Sequence, residues 1–320
     1  IYIPGGGEMI FLIRTVLAYL LPLFIGVIFL SFFDRDNKLF YGGEKLALGC
    51  ILGNGTIGIY LFYLGVLGIP LKAATVLPIL IPFIIRAGWI LRVGNFSRII
   101  AFSRPRLLSG KNRLVRFIVG LIILLLAWKI FFIIFKTVGS PTYFDDSVAN
   151  YNYKAKIFYY QHSLVLDKDH PDFFGGYMPW KAVGVSLFKT WVTILGGKWN
   201  EAAVNIYTLF IFISLGLIAY YNFLRLIPPI PSFFFSYIIC SIPILTFHAA
   251  FAYVDIVGAL YLFAGIVYLL RWMREKALPL LILSALLLAV CIFVKDDLFA
   301  LFVGGALAPL LIYLLAEGKG

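Results

Sequence analysis

Long apolar runs, each closed by a short polar stretch, dominate the pattern along the chain. Seven runs carry no charge: Thr15–Phe33, Leu46–Leu71, Ala202–Leu224, Leu226–Val254, Ile256–Leu270, Ala277–Val294 and Leu298–Ala316. Two more hold one interior cation, Ala73–Leu91 around Arg86 and Phe117–Phe135 around Lys129. A helix crossing the hydrocarbon core needs about 20 mainly apolar residues. The pattern therefore predicts an all-α polytopic membrane protein of about nine transmembrane helices. Pro228-Pro229-Ile230-Pro231 reads as an interfacial lead-in to its run, because three prolines cannot sit in a helix interior. The first run exceeds the apolar stretch of a cleavable signal and lacks a small-residue cleavage site.

Composition agrees with this pattern. Of 320 residues, 62% are hydrophobic and only 13% charged, where soluble domains carry about 25% charge. The mean hydropathy is +0.98. Such a chain is not a cytosolic enzyme, a disulfide scaffold or a disordered regulator. Cys50, Cys240 and Cys291 lie inside apolar runs and read as small core residues. The net charge of +12 would elsewhere raise the question of nucleic acid, but in a membrane chain basic residues collect in cytoplasmic loops. Arg92–Arg116 holds seven basic residues and no acid, so it is assigned to the cytoplasm. Alternation then places Thr137–Asn200 outside and Arg271, Arg274 and Lys276 back inside. Inner segments so assigned hold fifteen basic and five acidic residues, outer ones nine of each. The excess charge thus describes topology, and no nucleic-acid partner is expected.

Residues 137–200 are the only large stretch outside the spans on the outer side. Asp145 and Asp146 begin a segment rich in Asn, Tyr and Lys, which continues through Asn152, Lys154 and Lys156. Were 146–160 a helix lying on the membrane, Asp145, Asn152 and Lys156 would share nearly one face. Adjacent carboxylates beside lysines suit transfer from a lipid-linked phosphate. A carboxylate takes the proton of an acceptor hydroxyl, and cations meet the charge growing on the departing phosphate. The alternative for the acids is a helix cap, and for Lys154 and Lys156 a place among headgroups.

The run Asp146-x5-Asn152-x-Lys154-Ala155-Lys156, just after an outward span, resembles the first outer loop of bacterial GT-C glycosyltransferases. These multi-span enzymes use polyprenyl-phosphate-linked sugars and are related to protein O-mannosyltransferases and lipid A aminoarabinose transferases. Three later segments resemble the same family in order: His170-Pro171-Asp172-Phe173 with the amphipathic stretch to Gly196-Gly197, Tyr253-Val254-Asp255-Ile256, and Lys295-Asp296-Asp297-Leu298. The resemblance covers 117–320, with a three-span extension over 1–116. Asp297-Leu298 departs from the usual acid–glycine pair, and the doubled Asp145-Asp146 leaves the register of the base open. Relatives generally continue beyond nine spans, so a partial chain is expected. Met9 reads as the natural start, with a short exposed tail as the rival.

This resemblance implies a transferase of the inner (cytoplasmic) membrane with its active site on the outer face. It would move a sugar from a polyprenyl-phosphate donor to a glycan, lipid or protein acceptor, with inversion. Asp146, or else Asp145, is the implied base. Lys154, Lys156 and Lys295 are the implied phosphate contacts, with Asn152, Asp255 and His170 lining the site. Asp255 is alternatively a helix-start acid, Lys295 a snorkelling anchor and His170 an ordinary loop histidine. A divalent cation, magnesium or manganese, is compatible with Asp145, Asp146 and Asp255 as hard oxygen ligands, though a lysine-rich site can dispense with one. The rival classes are a transporter or flippase for a lipid-linked or anionic substrate, and a membrane scaffold. A transporter calls for ionisable groups at mid-membrane or internal repeats, and neither is clear here.

Overall fold

Most of the apolar runs become helices, and Pro22 is accommodated inside the first of them. The computed structural model describes residues 6–34, 38–92, 113–142, 146–167, 169–171, 181–298, 305 and 307–317, and these contain no strand. Six helices are long and apolar enough to cross a membrane. They are α1 (Gly6–Leu30), α2 (Gly42–Val66), α3 (Ala73–Arg92), α4 (Arg113–Gly139), α7 (Glu201–Phe223) and α10 (Asp255–Glu275). Between α4 and α7 lie a wide π-type turn (Asp146–Asn152), α5 (Tyr153–Gln161) and α6 (Gly184–Gly196). The remaining helices are α8 (Pro229–Ser241), α9 (Pro243–Ala250), α11 (Leu278–Val294) and α12 (Ala308–Glu317).

Among the described residues, six helices are long and apolar enough to cross, or seven if α8 and α9 count as one, against the nine spans expected. The run Leu226–Val254 is not a straight crossing, because Pro243 opens a new helix and α8 and α9 meet at a 63° bend. Helix α11 has 17 residues, about 25 Å at 1.5 Å per residue, against a core of about 30 Å. Much of the Leu298–Ala316 run lies outside the described residues, as do Tyr143, Asp145, Asp172, Tyr177, Trp180 and Arg98–Lys111.

One apolar core runs from Ala18 to Val294 and joins the first three helices to the rest. α1 and α2 make its tightest contact. A Cβ on Gly53 would stand 1.7 Å from the Pro22 carbonyl oxygen, and one on Gly26 1.9 Å from that of Gly49. Small residues four apart let the two backbones touch, which is how helices gain packing energy in lipid. Helix α6 departs from the surface-lying amphipathic helix the sequence suggests. It is buried along nearly its whole length, and the Trp191 indole donates to the Ala18 carbonyl at 2.9 Å. The interior cation Lys129 meets Thr246 Oγ1 at 3.3 Å and ties α4 to α9.

The end of the bundle bearing Arg271 and Arg274 is closed by a buried carboxylate. Glu44, fully buried in the first turn of α2, accepts from the Tyr41 amide (3.0 Å), Arg225 (3.0 Å), Arg271 (2.8 Å) and the Tyr268 hydroxyl (2.9 Å). Arg225 and Arg271 also donate to the Leu39 carbonyl. A second pair, Lys45–Asp34 at 2.8 Å, lies beside it in sequence. Arg86 pins α3 to the same end through the Ser31 carbonyl (3.2 Å), its guanidinium between Phe32 and Trp89.

Three stability outcomes follow from this packing. Gly53→Leu drives α1 and α2 apart and lowers the unfolding temperature in detergent, the usual overpacking cost being about 1–3 kcal/mol. Gly120→Leu leaves it unchanged, because nothing lies within 4 Å of a Cβ there. Glu44→Ala strands two arginines beside α2 and costs about 3–5 kcal/mol in the same measurement.

Candidate functional site

At the opposite end, three chain corners are brought together by backbone ties. The π-type turn is held to the α9–α10 corner by Ser147 Oγ donating to the Phe251 carbonyl (3.0 Å), and to α6 by Ser186 Oγ donating to the Tyr151 carbonyl (3.1 Å). Gly184 lets α6 approach the end of α11, since a Cβ there would stand 2.9 Å from the Phe293 carbonyl oxygen. These ties bring Asp146, Asp255, Asp296 and Asp297 within electrostatic reach of the buried Tyr151, with Lys154, Lys181 and Lys295 beside those carboxylates.

The charges meet in pairs. Lys295 Nζ lies 2.5 Å from Asp255 Oδ1, and Lys181 Nζ lies 3.2 Å from Asp297 Oδ2. Lys154, wholly buried, donates to the Lys181 carbonyl at 2.8 Å. Asp146 accepts from the Asn150 amide at 2.6 Å. Burial, and then the charges of Asp146, Asp255, Asp296 and Asp297, push the Tyr151 phenol up. Burial lowers Lys154 to about 8; Asp296 and Asp146 oppose that shift and Lys181 adds to it. The hydrogen bond that Lys181 donates to the Asp297 carboxylate raises the pKa of Lys181. The site is thus four carboxylates and three lysines packed close to neutrality.

Of the residues singled out in the sequence, Asp146, Lys154, Asp255 and Lys295 come together here. Asn152 and Lys156 do share one helix face, being four residues apart, but that face looks the other way. Asn152 is buried, accepting from Lys189 Nζ at 2.5 Å and donating to Glu201 at 3.3 Å. The Lys156 ammonium stands 5.0 Å from the centre of the Trp199 ring. Lys154, two residues from each, points back toward Lys181 because alternate positions on a helix face opposite ways. Asn152 and Lys156 thus lie apart from the charged cluster in which the sequence reading places them. His170 sits in a local turn, its amide donating to the Asp167 carbonyl at 3.3 Å. Asp145 lies outside the described residues.

Of the three carboxylates suggested for a metal, Asp145 lies outside the described residues. The Asp255 carboxylate holds a lysine, and among the described residues no three His, Cys, Asp or Glu side chains are grouped to hold an ion.

Two lysines escaped the sequence reading. Lys181 follows an aromatic stretch and carried no motif. Lys189 was visible as a lone cation in the apolar run 183–194, and it is the hub of the loop. It is fully buried and bonded to Asn152 Oδ1 and Asn205 Oδ1 (2.9 Å), and Asn205 reaches Thr142 at 2.7 Å. Burial lowers its pKa to about 7, against a usual 10.5, with Glu201 opposing. A neutral amine still has two N–H groups for the two amide oxygens. Between about pH 7 and 10.5 the unfolded chain binds the extra proton, so this lysine makes stability rise with pH across that window. The unfolding temperature is expected to climb from pH 7 to 10, and Lys189→Met to flatten that slope. An unchanged slope in a folded Lys189→Met protein overturns the assignment.

No protein-family model, curated protein sequence or solved structure matches the chain.

Proposed function

We propose that this chain is a membrane glycosyltransferase of the GT-C kind, moving a sugar from a polyprenyl-phosphate carrier to an acceptor hydroxyl at the outer end of the bundle. The observation that supports this reading is the convergence of 146–154, Lys181, Asp255 and 295–297 on one charged cluster. Those segments are far apart in sequence, and three of the four were picked out beforehand by the family resemblance. Chance placement of acids at span ends does not require them to meet.

In this reading the Asp146 carboxylate takes the acceptor proton as the hydroxyl oxygen bonds to the anomeric carbon. The bond from that carbon to the phosphate oxygen breaks, and its electron pair leaves with the lipid phosphate. Direct displacement inverts the anomeric centre. Lys295 and Lys181 are the cations for that phosphate, their side chains 15% and 24% exposed. Each already rests against a carboxylate, so the phosphate replaces one anion by another rather than drawing a bare lysine out of water. Lys154 is buried and holds the Lys181 backbone in place. No step runs through a metal.

The test is transfer of a radiolabelled sugar from its polyprenyl phosphate to membrane acceptors by the purified full chain. Asp146→Asn is expected to reduce transfer about 10²–10⁴-fold and Lys295→Met about tenfold or more, with the unfolding temperature checked for each. Wild-type transfer by folded Asp146→Asn and Asp145→Asn proteins means that the base is misassigned. Lipid scrambling in liposomes without transfer would instead support a flippase.

A further inference from the structure

At the basic end of the bundle, away from the charged cluster, a slot of about 260 Å³ opens between α7 and α10. Its walls are Phe223, Leu226, Phe263, Val267 and Leu270, with Arg271 and Arg274 at its head. Leu226 and Leu270 are 64% and 50% exposed, so the slot faces outward from the bundle rather than into it.

We propose that this slot binds an anionic phospholipid, one acyl chain lying in the groove and the phosphate resting on Arg274. Charge complementarity argues for that occupant. Arg271 is fully engaged, bonding Glu44, Glu275 and the Leu39 carbonyl. Arg274 is different: its guanidinium is about half exposed and donates to Glu275 at 3.0 Å, a carboxylate that already takes two bonds from Arg271. A guanidinium has five N–H donors in a fork suited to phosphate, and Arg274 uses one nitrogen on Glu275 while its side chain stays about half exposed. Nearly all the wall below is hydrocarbon, which suits a chain and not a soluble anion. Arginine-headed grooves between spans on the side rich in basic loops are where anionic headgroups settle. The site also has a consequence for the fold: Arg271 belongs both to the slot and to the Glu44 closure, so an occupied slot braces that closure.

The probe is phosphatidylglycerol against phosphatidylcholine of the same chains, added to the purified full chain in detergent. Retained lipid is counted by native mass spectrometry and the unfolding temperature followed. Phosphatidylglycerol is expected to be retained at least fivefold over phosphatidylcholine and to raise the unfolding temperature. Arg274→Glu removes the preference, and Val267→Phe, which fills the slot, lowers retention of phosphatidylglycerol to a similar degree. Equal retention of the two lipids by the wild-type protein overturns the proposal without any variant. Wild-type preference in a folded Val267→Phe protein overturns it too, because headgroup adsorption would then need no groove. Full competition by soluble glycerophosphoglycerol does the same.

Discussion

Hydrocarbon tolerates no uncompensated charge, and Glu44 shows how this fold meets that constraint. Its carboxylate, wholly shielded, is the common acceptor for an amide of the helix's own cap, two arginines and a tyrosine hydroxyl. The arginines come from the end of α7 and from α10, so one side chain holds three spans at a fixed height. Such a network adds little net energy once desolvation is counted, but breaking it is costly. Its value lies in register. Helices sliding in lipid have few other reasons to stop at one place.

The opposite end obeys the same constraint with a different result. There the pairs are lysine with aspartate, partly exposed, and assembled from loop corners instead of long helices. Such pairs can exchange partners. In the proposed transferase, a phosphate entering between Lys181 and Lys295 would free carboxylates for the incoming hydroxyl and sugar, which a locked carboxylate such as Glu44 could not offer. Lys154 and Lys189 are both buried and serve the frame of the loop. Each fixes loop backbone or amide groups that would otherwise have to be ordered on binding.

Much of this was legible in advance. Most apolar runs mark a helix, because lipid rewards apolar length, and the cations inside spans, such as Arg86 and Lys129, are held by a polar partner on or just past a neighbouring helix. The acids and lysines of 146–154, 255 and 295–297 were visible as a set through their order and their common side. Less legible was which of them face one another. Asn152 and Lys156 stand in the same short stretch as Lys154 yet serve the Lys189 and Trp199 side, since two residues along a helix turn a side chain to the far face. Lys181 carried no pattern, and only the approach of α6 to α11 at Gly184 puts its neighbourhood beside Asp297.

The sequence by itself determined that the chain is a multi-span helical protein, which loops carry the charge, and which residues are candidates for chemistry. Those properties rest on local composition: an apolar run of sufficient length forms a helix whatever surrounds it. Only the tertiary structure decided that Pro243 bends one run into two helices, that α6 inserts into the bundle, and that Glu44 closes one end. It also decided which lysine faces which aspartate. Pairing depends on distances between residues up to 227 positions apart, and no local pattern encodes a partner that packing alone brings near.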